Sequence, residues 1–100
     1  MKTTIQENEK EIVAVLVGEL DTAAAPEFEA AMQPLFQSEG RDIVIDCTGL
    51  EYIASSGLRV LLNILKTAKA SGSRVVLRHV TEIIRDVFDL TGFIHLFEFE

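Results

Sequence analysis

Between Leu58 and Ala68 the apolar residues Leu58, Leu61, Leu62, Leu65 and Ala68 recur at i, i+3, i+4, i+7 spacing. This helix pattern stands between two short apolar runs rich in β-branched residues, Ile43-Val44-Ile45 and Val75-Val76-Leu77. A strand, a helix and a strand in that order leave few arrangements. The two strands run parallel in one sheet, and the helix forms a right-handed crossover between them. Runs with no polar position fit parallel strands covered on both faces. Ser55-Ser56 open the helix pattern, where a hydroxyl can cap free backbone N–H groups, and Ser71-Gly72 stop it.

The rest of the chain extends this unit. Ile5 and Ile12 to Val17 predict two strands joined at the polar turn Asn8-Glu9-Lys10. Asp21 or Thr22 is placed to cap a helix with Pro26 in its first turn and Phe28, Ala31, Met32, Leu35 and Phe36 on one face. Pro34 removes a hydrogen bond from that helix and predicts a bend or early end, and Gly40 closes it. Thr81 caps a third helix built on Ile83, Ile84, Val87 and Phe88 and ending at Gly92, and Leu96 to Phe99 allow a last edge strand. The expected fold is α/β, in the order ββαβαβαβ, with a mainly parallel or mixed sheet covered by helices. No repeat or linker interrupts it, so residues 1–100 are expected to form a single domain.

Composition narrows the function. With 100 residues, 48% of them apolar, the chain can bury a core, yet little room is left for a substrate pocket. One cysteine, Cys47, permits no internal disulfide. The longest apolar run, Ile12 to Val17, is too short to span a bilayer, and the first residues lack the apolar stretch of a secretory signal. The expected location is the cytoplasm, with no direct membrane insertion. The formal net charge of −7 argues against nucleic acid, whose phosphates are bound by lysine and arginine. That charge is unevenly spread: residues 1–39 carry eight acids and two bases, whereas residues 59–85 carry six bases and one acid.

Most catalytic chemistry lacks its residues. His79 and His95 lie in different predicted elements from each other and from Cys47, so no metal-ligand spacing exists. No glycine-rich phosphate cradle occurs, and Ser55-Ser56-Gly57 lacks the flanking glycine of a nucleophile elbow. The chain is therefore expected to be no enzyme and to need no cofactor. One stretch does stand out, from Val44 to Leu62, where a buried strand turns at Thr48-Gly49 and delivers two serines to a helix start. A phosphate there meets the free N–H groups and the positive end of the helix dipole. Gly57 is expected to keep the approach open. Arg59, one turn after Ser55, can pair with a phosphate on Ser55.

Gly18-Glu19-Leu20-Asp21, Ile45-Asp46-Cys47-Thr48-Gly49-Leu50 and Ser55-Ser56-Gly57-Leu58, together with the order of elements, resemble a STAS domain of the stand-alone anti-sigma factor antagonist type. The resemblance spans nearly the whole chain. It implies a protein that binds an anti-sigma factor and so releases a sigma factor. The implied partner is also a serine kinase of the histidine-kinase-like ATPase fold, and a serine phosphatase resets the modification. By position the implied acceptor is Ser55, with Ser56 as neighbouring hydroxyl. The implied partner-binding residues are Asp21, Thr22, Ala54, Ser56, Gly57 and Arg59. The best-known members carry aspartate directly before the acceptor, whereas this chain has Ala54. The resemblance allows two other roles: a STAS accessory subunit of an ABC-type membrane transport complex that acts by protein–protein binding without phosphorylation, and a ligand-sensing or enzymatic domain, for which this sequence shows no phosphate loop.

Overall fold

A computed structural model describes all 100 residues. Strands β1 (Lys2–Glu7) and β2 (Glu11–Leu20) form an antiparallel hairpin around Asn8, whose Oδ1 accepts from the backbone N–H groups of Lys10 and Glu11 at 2.8 and 2.9 Å. Helix α1 (Ala25–Ala31) comes next, then a 3-10 turn at Gln33–Gln37, β3 (Asp42–Ile53), α2 (Ser55–Ala70), β4 (Val75–Arg78), α3 (Glu82–Leu90) and β5 (Glu98–Phe99). The order matches that read from the sequence. Pro34 ends α1 early by forcing the 3-10 turn, as its missing N–H requires. Thr81 caps α3, its Oγ1 accepting from Ile84 N at 3.5 Å.

Neither Asp21 nor Thr22 caps α1, which corrects that expectation. Ala24 occupies the cap position with helical backbone angles and no side-chain bond. Asp21 acts one turn earlier: its Oδ1 accepts from Ala24 N at 2.8 Å and folds residues 21–24 into a turn.

The sheet runs β1-β2-β3-β4-β5 in space, with β2 to β5 parallel. Each crossover therefore advances one strand in the same direction. Right-handed connections that all advance the same way place every helix on the same face. Alternate strand residues, such as Ile12, Ile43, Ile45 and Leu77, point to that face and join Phe28, Leu61, Ile64 and Phe88 in a single core. Val44 and Val76 lie outside this core although each is only 5% exposed. They are shielded by their neighbours in the cross-strand row Gln6, Val13, Val44, Val76, Glu98. The expectation of strands covered on both faces is thus corrected: helices cover one face, and Val17 on the other is 46% exposed.

Cys47 is fully buried at the end of the core-facing run of β3. Burial pushes its thiol up to about 12, with Asp46 adding to the rise. The native protein is expected to resist thiol-specific labelling at pH 8 and to react stoichiometrically once unfolded in urea, which a colorimetric thiol assay measures.

Candidate functional site

The parallel strands all point their carboxyl ends at one rim of the sheet, and β2 and β3 extend furthest towards it. Their pairing slips between Val15 and Val17 and again between Gly18 and Glu19, each time leaving an extra residue in β3. The first slip falls beside Gly49, where a Cβ would lie 3.0 Å from Val17 Cγ2 and 3.3 Å from the Leu16 carbonyl oxygen. Such bulges bend a strand and re-aim the residues beyond the bend. Here they bring the end of β2 against the start of α2, where Ala54 N donates to the Leu20 carbonyl at 2.8 Å. The Asp21 turn and the Ser55 helix start are thereby held side by side.

Ala54, in extended conformation, is the cap residue of α2, and no side chain bonds to the helix end. The expectation that Ser55 and Ser56 cap the helix is corrected: both already belong to its first turn. Ser55 is exposed. The Ser56 Oγ is buried with no hydrogen-bond partner, a loss of about 1–3 kcal/mol for an orphaned polar group. Ser56→Ala is therefore expected to leave stability unchanged or raise it by up to ~1 kcal/mol in urea denaturation. The first turn also lacks an acid, and all of α2 contains none, whereas Arg59, Lys66 and Lys69 project from it without forming an ion pair. Its amino end is an unneutralised positive pole.

Gly57 has a different role from the one expected. It is buried, and a Cβ there would fall 2.6 Å from Leu20 Cγ and 3.2 Å from Ile53 Cγ1. The missing side chain lets α2 pack on the strand ends rather than leaving an approach open. Gly57→Ala gains helix propensity but overpacks Leu20, and a net loss of about 1–2 kcal/mol is expected in thermal or urea unfolding.

Arg59 is exposed, one turn below Ser55. With Ser56 and Val60 it lines a groove of about 290 Å³ whose other wall is Ala25, Pro26 and Glu29 of α1. Asp21 and Thr22 are exposed, and Ala54 is 8% exposed. Tyr52, not singled out from the sequence, is 49% exposed and pairs in register with Glu19 on the same rim. Its place next to the helix start, three residues before Ser55, was the only available signal. No three His, Cys, Asp or Glu side chains converge as metal ligands would.

Further along the rim, burial raises the Asp46 carboxyl, but hydrogen bonds from Thr48 outweigh it, Oγ1 at 2.6 Å and N at 3.0 Å, with help from His79 and Arg78. The net shift is downward. A carboxyl lowered by folding stabilises the native state above its unfolded value, about 3.9, and that contribution fades as pH falls through the folded value. Asp46→Asn is expected to be less stable than the parent at pH 7, with the gap narrowing below about pH 4 in a series of urea titrations.

The family model for MlaB, a STAS domain, matches residues 3–98. The chain belongs to the STAS domain family. The domain is 32% identical over 97 residues to BtrV of Bordetella bronchiseptica, a candidate anti-sigma factor antagonist, covering 97% of this chain and 84% of that one. It is 31% identical over 88 residues to the anti-sigma-B factor antagonist of Bacillus subtilis, covering 88% and 80%. Its fold is that of the antagonist SpoIIAA in unphosphorylated form, with TM-score 0.81, 21% identity and coverage of 99% and 88%. SpoIIAA, a Bacillus cell fate determinant, superposes in its phosphorylated form with TM-score 0.74 at 21% identity, covering 99% and 91%. These likenesses match the STAS reading of the sequence. No helix of the domain is long and apolar enough to cross a membrane.

Proposed function

We propose that this domain is an anti-sigma factor antagonist whose docking face is the rim formed by the Asp21 turn and the start of α2, and that phosphorylation of Ser55 switches it off. The relatives named as antagonists support the role. The observation that carries the site is the exposed Ser55 in the first turn of a helix whose positive end has no acid and no side-chain cap. A phosphate there gains the free N–H groups and Arg59 as partners inside the monomer. At an interface it places about −1.5 to −2 charges in a contact that must be desolvated. The switch is local charge, with no refolding. The partner is an anti-sigma factor that is also a serine kinase of the histidine-kinase-like ATPase fold, a serine phosphatase reverses the step, and the setting is the cytoplasm. The domain itself is a substrate and binding protein, not an enzyme.

Intact-mass analysis after incubation with ATP and candidate anti-sigma kinases tests this reading. One phosphate on the parent and none on Ser55→Ala supports it. A parent that gains no phosphate from any kinase to which it binds overturns it. Membership of the STAS family also leaves the second reading, the accessory subunit of an ABC-type transport complex. That reading predicts binding to an ATPase subunit with no phosphate transfer.

A further inference from the structure

Helix α3 is apolar on two sides. Ile84 and Phe88 are fully buried in the core. On its outer side Ile83 and Leu90 are 72% and 87% exposed, and the half-buried Val87 lies between them. Residues 83, 87 and 90 stand at i, i+4 and i+7, so they form one continuous stripe. Scattered exposed apolar residues are ordinary, but a contiguous rimmed stripe marks an interaction surface. At its amino end the stripe opens into a groove of about 310 Å³ between Thr48–Glu51 of β3 and Thr81 and Ile83.

The rim decides the occupant. Glu51 lines the groove, and Glu82 and Asp86 flank the stripe. The one cation of α3, Arg85, lies beyond these acids on the side away from the stripe, its guanidinium carbon 4.8 Å above the centre of the Phe99 ring. A second copy of this chain fits poorly. An antiparallel pair of α3 helices about a two-fold axis sets each flank against its own equivalent, acid against acid. We propose that the outer face of α3 docks an apolar helix rimmed with lysine or arginine, supplied by a different protein. This surface goes beyond the Ser55 rim and gives the domain a second, independent point of attachment.

The test is an NMR titration of the full ¹⁵N-labelled chain with three synthetic peptides of about fifteen residues. One is an amphipathic helix of leucine and lysine, the second has glutamate in place of lysine, and the third has serine in place of leucine. The leucine–lysine peptide is expected to bind and to shift amides of residues 48–51 and 81–91, while the other two bind at least ~10-fold more weakly. Ile83→Glu and Leu90→Glu each reduce that affinity ~10-fold or more, and Ser55→Asp changes it less than ~2-fold. Leu90 is so exposed that its variant keeps the parent melting profile even if Ile83→Glu perturbs the fold. The proposal is overturned if the leucine–glutamate peptide binds as well, if the shifts map to α2 or to the open valine face, or if both glutamate variants bind like the parent. Sedimentation that reveals a dimer dissolved by Leu90→Glu also overturns it, in favour of a second copy.

Discussion

Ser55→Asp is expected to bind the anti-sigma factor at least ~30-fold more weakly than the parent, while Ser55→Ala binds normally and accepts no phosphate. The asymmetry comes from where the charge sits. Within the monomer an anion at the first turn of α2 is favoured by ~0.3–1 kcal/mol through the helix dipole, and no acid of α2 competes for that place. Melting of Ser55→Asp should therefore equal or slightly exceed that of the parent. In the complex the same charge must shed water and face the partner, where like-charge or unpaired contacts cost several kcal/mol. Calorimetric titration against the anti-sigma factor, with differential scanning calorimetry of each variant alone, separates the two effects. Parent-like affinity for Ser55→Asp would sink the charge-switch mechanism.

Phe88→Ala is expected to remove about 3–5 kcal/mol of stability, out of the ~5–15 kcal/mol typical of a domain of this size. Phe88 is fully buried, and its ring meets Phe97 and Phe99 edge-to-face at 5.6 and 5.7 Å between centroids. It fastens α3 to the strand with the fewest partners, since β5 has only two residues and pairs with β4 alone. The truncated side chain leaves a cavity in the core and releases both neighbouring rings. Leu90→Ala, two residues along on the outer face, should change stability by less than ~0.5 kcal/mol. Equilibrium urea unfolding of both variants checks the contrast. A loss under 1 kcal/mol for Phe88→Ala would mean that the α3–β5 corner is not part of the cooperative core.

Much of this molecule was legible in the sequence because its patterns are local. The Leu58–Ala68 spacing, the two apolar runs and Pro34 each act within a few residues, and each produced the element expected of it. The features that escaped depend on partners far along the chain. That Gly57 is required by Leu20, or that Gly49 sits at a bulge facing Val17, cannot be seen until β2 and β3 are aligned. Hydroxyls at Ser55 and Ser56 looked like caps because composition favours serine there, yet the helix begins one residue earlier than that reading needs. The one-sided sheet escaped for a related reason. Val44 and Val76 are as apolar as core residues, but what hides them is the row of strands beside them rather than a helix above. The acceptor position came from family resemblance; local physics alone marked the helix start as attractive to an anion.

The rim carries one more practical consequence. Because β1 is antiparallel to β2, Met1 lies against Gly18, and because β5 is parallel to β4, Glu100 lies beside Arg78, their side chains paired at 3.0 Å. Residues 1 and 100 thus sit on the same edge as Ser55. A bulky fluorescent protein or affinity tag attached to either residue is expected to crowd the proposed docking face and weaken partner binding. The Asn8–Lys10 turn, at the far edge of the sheet, is where a reporter can be inserted away from the proposed switch.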